Sequence, residues 1–89
     1  MPVVRIPTPL RPYSSGKDVV EAAGTTVGEV LSSLTAAYPD LKERILDGED
    51  VRRFVNVYVN NEDIRYLDDL GTPVADRDEV AIIPAIAGG

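Results

Sequence analysis

The chain has 89 residues, 44% of them hydrophobic, and nine Lys or Arg against fifteen Asp or Glu give a net charge of −6. That length makes one small domain with a single modest core. The acidic balance repels phosphate backbones, so no nucleic-acid partner is expected, and it suits a protein partner with a basic docking face. Cysteine and histidine are absent, which excludes disulfides, iron–sulfur clusters, the usual zinc ligand sets and any thiol or imidazole catalysis by these side chains. No apolar run approaches the ~18 residues that cross a bilayer, and no basic-then-apolar leader opens the sequence. The expectation is a cytoplasmic protein with no membrane partner.

Residues 2–7 read as a short strand with Val4 and Ile6 on one face, ended by Pro7, Pro9 and Pro12, which cannot donate ladder hydrogen bonds. Leu10 to Gly16 then read as a loop, and 17–23 as a second strand hairpin-paired with the first, Val20 and Ala22 facing inward. Thr26-Val27-Gly28-Glu29 fits a capping box in which the Glu29 side chain reaches back to the Thr26 N–H. Val27, Val30, Leu31, Leu34 and Tyr38 follow at helical spacing, and Pro39 stops the helix. Asp40 to Glu43 reads as a second capping box opening a short helix, with Leu41, Ile45 and Leu46 inward and Gly48 as its C-terminal cap.

Residues 53–60 alternate, placing Val55, Val57 and Val59 on one face and Phe54, Asn56, Tyr58 and Asn60 on the other. Residues 60–63 read as a turn, 64–67 as a short returning strand, and 68–78 as turn-rich. The last strand, Glu79 to Pro84, puts Val80 and Ile82 in the core and Ala81 and Ile83 outward, and belongs in the sheet centre beside the first strand. The fold class expected is α+β, a mixed four- or five-stranded sheet with one main helix across one face.

The sequence closes on Ala85-Ile86-Ala87-Gly88-Gly89. Glycine has no Cβ, so such a tail can pass where other residues clash. A fold gains nothing from it, whereas a carboxylate that must enter another protein's active site does. The same ending also occurs as a frayed terminus with no role; read functionally, Gly89 carries the reactive carboxylate, Gly88 and Gly89 thread a narrow channel, Ala85 and Ala87 keep the tail slim, and Ile86 anchors it in an apolar slot. The domain would be 1–84 and the tail, expected to be flexible, 85–89. Phe54, Tyr58, Ala81 and Ile83 would form a docking patch on the outer sheet face; the two aromatics would serve equally as cross-strand packing that shields the sheet. Arg52, Arg53 and Arg65 read as solvated surface. The acidic pairs Asp68-Asp69 and Asp76/Asp78 lack calcium-loop spacing, so no metal is expected. No acid–base or nucleophile set suggests an enzyme.

The run Phe54-Val55-Asn56-Val57-Tyr58-Val59-Asn60, then Leu70, then Asp76-Arg77-Asp78-Glu79-Val80, then Ile83-Pro84 and the Gly88-Gly89 ending resembles the ubiquitin-like β-grasp family. Within it the chain resembles the ThiS/MoaD-type sulfur carriers of the molybdopterin, thiamine and cysteine pathways. Arg77 stands where the family often has Gly. The segment from Leu41 to Arg52 and the wording of 53–60 resemble the cysteine-biosynthesis carriers most. The resemblance implies that a partner adenylating enzyme of the E1-like (MoeB/ThiF) kind spends ATP on the Gly89 carboxylate, that a sulfur donor converts the acyl-adenylate to a thiocarboxylate, and that a synthase takes the sulfur. The synthase would be a cysteine synthase, or else a molybdopterin synthase, a thiazole-synthase-like enzyme or an enzyme of thiosugar formation. No bound cofactor is implied. The same tail would also serve a ubiquitin-like modifier joined to lysines through Gly89.

Overall fold

The computed structural model describes residues 1–48, 50–53 and 55–84. A hairpin comes first. β1 (Val3–Arg5) pairs antiparallel with β2 (Val19–Glu21), Val4 opposite Val20. The segment between them departs from the expected loop. Thr8–Ser14 is a 3-10 helix. Proline fixes φ near the value such a helix needs, and Pro9 and Pro12 set the chain there. Leu10 N–H donates to the Pro7 carbonyl at 2.9 Å, and Leu10 is buried. Ser15, at φ 58, ends the segment in the left-handed region. The Ser14 hydroxyl, fully buried, donates to the Arg11 and Lys17 carbonyls at 3.2 and 2.8 Å.

The main helix, α1 (Val27–Ala37), packs across one face of the sheet. Val27, Val30, Leu31 and Leu34 are at most 1% exposed, as the apolar spacing requires, and Tyr38 caps the end half-buried against the core. Burying four such side chains contributes on the order of 1.5–3 kcal/mol each. The N-terminal cap differs from expectation in one bond. The Thr26 hydroxyl accepts from the Glu29 N–H at 3.2 Å, but the Glu29 carboxylate turns to the Thr25 N–H and hydroxyl, at 2.8 and 2.9 Å. Those two donors hold its carboxyl below the usual carboxylate range, the backbone N–H contributing most.

After Pro39 a 3-10 turn (Pro39–Leu41) leads into α2 (Lys42–Ile45), and neither start has a side-chain cap, so the second capping box does not form. Pro39 already opens the turn, and the Leu41 N–H is taken by the Tyr38 carbonyl at 3.0 Å. Leu46, rather than Gly48, is the C-cap of α2. Leu46 and Asp47 form β3, which pairs with β4 (Asp50–Val51), and Gly48 adopts φ 68 in the connection. Strands of two residues show no alternation to read.

β5 (Val55–Val59) carries the all-valine buried face expected of it. Asn60 and Asn61, at φ 49 and 73, make a tight hairpin turn to β6 (Glu62–Asp63). The returning strand expected over 64–67 is instead a 3-10 turn, Ile64–Tyr66, capped by the Asp63 carboxylate, which accepts from the Arg65 N–H at 2.9 Å. That local bond turns the chain inward and buries Ile64. β7 (Glu79–Pro84) closes a five-stranded sheet of order β2-β1-β7-β5-β6, parallel to β1 and antiparallel to β5.

Candidate functional site

The expected site has two parts, the tail and the outer sheet face. Gly89, Gly88, Ala87 and Ile86 lie outside the described residues, as does Phe54. β7 lies between β1 and β5, paired over Val3–Arg5 on one side and from Val55↔Pro84 to Val59↔Val80 on the other. Val80 and Ile82 are buried to 0% and 2% exposure, so the strand that ends next to residue 85 is fixed on both edges and from beneath.

Tyr58, Ala81 and Ile83 share the face opposite α1. Register sets Val19, Arg5, Ala81, Tyr58 and Asp63 in one row across the five strands. Asn56 stands opposite Ile83. Tyr58 and Ala81 are half-buried, and Ile83 is 44% exposed. Arg5 Nε donates to Glu79 Oε1 at 2.6 Å on the same face. Both partners are exposed, so this pair contributes at most about 1 kcal/mol. The result is a mixed surface in which an isoleucine and an aromatic ring sit among an amide and a charged pair. Such a composition suits a reversible contact better than a permanent one.

One arrangement at the foot of β7 escaped the sequence reading. The Asn60 side-chain amide donates to Asp78 Oδ1 at 2.9 Å, and its own oxygen accepts from the Glu79 N–H at 3.0 Å. The Ala75 N–H donates to Asp78 Oδ2 at 2.8 Å. This clamp ties the turn after β5 to the first residue of β7. The Ala75 N–H first, and the Asn60 amide second, hold the Asp78 carboxyl below its usual range. Both oxygens are thus engaged within the fold. Among the described residues no group of three or more His, Cys, Asp or Glu is placed to hold a metal ion. The available signal was an asparagine ending one strand and an aspartate preceding another; nothing in the spacing says that they meet.

The structure also gathers residues that the sequence scatters. Arg52, Arg53 and Arg65 all line one concavity of about 430 Å³ beside the start of β5.

The family model described as the ThiS family matches residues 4–89. Sulfur carrier protein CysO of Mycobacterium tuberculosis is 48% identical over 89 residues, spanning 97% of this chain and 96% of that protein. Small archaeal modifier protein 3 of Haloferax volcanii is 41% identical over 64 residues, covering 72% of this chain and 70% of the relative. A chain in the crystal structure of the Amycolatopsis orientalis BexX/CysO complex superposes with a TM-score of 0.93 at 42% identity, all of both chains being covered. The chain belongs to the ThiS family, and its five-stranded sheet with one crossing helix is a ubiquitin-like β-grasp.

Proposed function

We propose that this chain is a sulfur carrier acting through the Gly89 carboxylate, a protein co-substrate of other enzymes. The observation that carries this reading is the 48% identity, across 97% of the chain, to the sulfur carrier protein CysO. The centrally anchored β7 supports it by giving residues 85–89 a rigid base.

The chemistry follows from what a carboxylate lacks. Its oxygen is a poor leaving group. Attack of the Gly89 carboxylate on the α-phosphorus of ATP expels pyrophosphate and makes an acyl-adenylate. A sulfur nucleophile at the sulfide level then attacks the acyl carbon, AMP departs, and a thiocarboxylate remains. A synthase accepts that sulfur, and water restores the carboxylate. Because the chain has no cysteine, the sulfur travels on the main-chain terminus. We take the acceptor enzyme to be one of cysteine biosynthesis, from the resemblance of the segment Leu41 to Arg52 and of residues 53–60 to the carriers of that pathway; molybdopterin, thiazole and thiosugar synthases are the other acceptors. The complex of the Amycolatopsis orientalis CysO with BexX supports a protein partner.

Whole-protein mass measurement after incubation with the adenylating enzyme, ATP and a sulfur donor tests the reading. Replacement of one oxygen by sulfur at Gly89 is expected. No change in mass while a known carrier is converted in parallel sinks it. Removal of Gly88 and Gly89 should abolish conversion and leave the melting temperature nearly unchanged. A second reading, attachment to lysines through Gly89, draws on the 41% identity to an archaeal modifier. Isopeptide-linked conjugates in cells would favour it.

A further inference from the structure

The concavity beside β5 stands apart from the outer sheet face, and the carrier chemistry does not use it. Three of the nine Lys and Arg residues of a chain with net charge −6 converge on it. Asp50 and Asp69 also line it, so its local balance is positive by a single charge. The arginines are exposed. Arg52 Nη1 donates to the Glu43 carbonyl at 3.2 Å, and Arg65 Nε lies 3.6 Å from Asp63 Oδ1. Arg53 makes no salt bridge among the described residues. The remaining lining is apolar: Val55, Val57 and Ile64 are buried, and Val51 and Leu70 half-buried.

Position adds the second argument. Val55 lines the concavity and pairs with Pro84, the residue before the tail. Residues 85–89 reach at most about 17 Å at ~3.4 Å per residue. An enzyme that draws Gly89 into its active site must therefore lie against this end of the sheet. The inference rests on the carrier reading in that respect.

We infer that the Arg52–Arg53–Arg65 concavity docks an acidic segment, bearing one apolar side chain, on the enzyme that adenylates the tail. Guanidinium groups match carboxylates in a two-pronged geometry that fixes orientation, and the valine, isoleucine and leucine lining accepts the apolar anchor. A free polyanion such as a nucleotide is disfavoured at long range by the chain's net charge. A segment held by an already docked enzyme escapes that penalty. Adenylation opens every sulfur-carrier cycle whichever synthase follows, so this enzyme is the partner that the concavity must satisfy.

The test is ATP–pyrophosphate exchange by the adenylating enzyme, with the full chain as substrate, at low and at moderate salt. The triple charge reversal R52E/R53E/R65E is compared with wild type and with K17E, an exposed cation that does not line the concavity. The expected result is a KM raised about tenfold or more by the triple variant with kcat little changed, and a wild-type KM that rises with salt while that of the variant is flat. K17E should behave as wild type. An unchanged KM in a folded triple variant, or an equal rise in K17E, overturns the inference. So does saturable binding of Mg·ATP to the chain alone that the triple variant loses, since the concavity would then be a nucleotide site. If the triple variant melts early, R53E alone carries the same test. If wild type supports no exchange, the carrier reading falls and this inference with it; exchange that ignores the arginines removes only this one.

Discussion

The two faces of the sheet are built from the same strands and do opposite work. Toward α1 stand Val4, Val55, Val57, Val59, Val80 and Ile82, none more than 7% exposed. Away from it stand Arg5, Asn56, Tyr58, Glu79, Ala81 and Ile83, which mix charge, amide, ring and aliphatic groups and are half-buried or exposed. Alternation along each strand keeps the two sets separate, so a side chain can be changed on one face with little consequence for the other. Stability resides on the helix side. Recognition, in the proposed function, resides on the other side and at the end of β7.

The sharpest way to break this division is Val80→Asp. Val80 is 0% exposed on the helix side of the central strand β7, and an unpaired carboxylate there costs several kcal/mol, about as much as a small domain has in total. A thermal melt followed by circular dichroism should show no cooperative transition. Gly24→Ala comes next. Gly24 holds φ 158, and a Cβ would stand 2.6 Å from the Val30 backbone nitrogen and 2.9 Å from the Glu29 carbonyl carbon. The start of α1 must then shift, at a cost of about 2 kcal/mol. Urea unfolding should move to a lower midpoint with an unchanged slope.

Asp78→Asn should have a smaller effect, and a pH-dependent one. The Asp78 carboxyl is more acidic in the fold than in the open chain, because Ala75 and Asn60 donate to its charged form. Its contribution is therefore fully present above the ordinary carboxylate range and is lost as pH falls through the folded value. Unfolding measured across that range should show wild type more stable than the variant near neutrality, with the gap closing in acid. A gap that does not change with pH would mean that the clamp works by shape alone. Smallest of all in stability is Ile83→Asp, expected within about 0.5 kcal/mol of wild type because the side chain is 44% exposed. Its affinity for a tail-receiving enzyme, measured by titration calorimetry, should fall about tenfold if the outer face is the grip. A large loss of stability would place Ile83 with the core, and the contrast between faces would fail there.

Much of the fold was legible because it rests on periodicity. The valines of β5, the α1 stripe from Val27 to Leu34 and the alternation in β7 each select one face with no help from distant residues. The errors fall where a single local bond outweighs the pattern. Ile64–Tyr66 has strand-like composition, yet the Asp63 carboxylate captures the Arg65 N–H and tightens the chain into a 3-10 turn. Glu29 chooses Thr25 over Thr26 because two donors lie there instead of one. Thr8–Ser14 folds as a helix because its prolines set φ as well as removing donors.

For the candidate site the division is different. Tyr58, Ala81 and Ile83 could be placed on one face from alternation alone, and the absence of cysteine means that any carried sulfur cannot sit on a thiol of this chain. The sequence could not show that Asn60 and Asp78, eighteen positions apart, share a hydrogen bond, or that Arg65 lines the same concavity as Arg52 and Arg53. The reason is physical. Periodicity and turn chemistry act over a few residues and determine which way each side chain points. Contacts between segments depend on how β5, β7 and the 3-10 turn after β6 pack together, and that packing exists only once the chain has closed on its core.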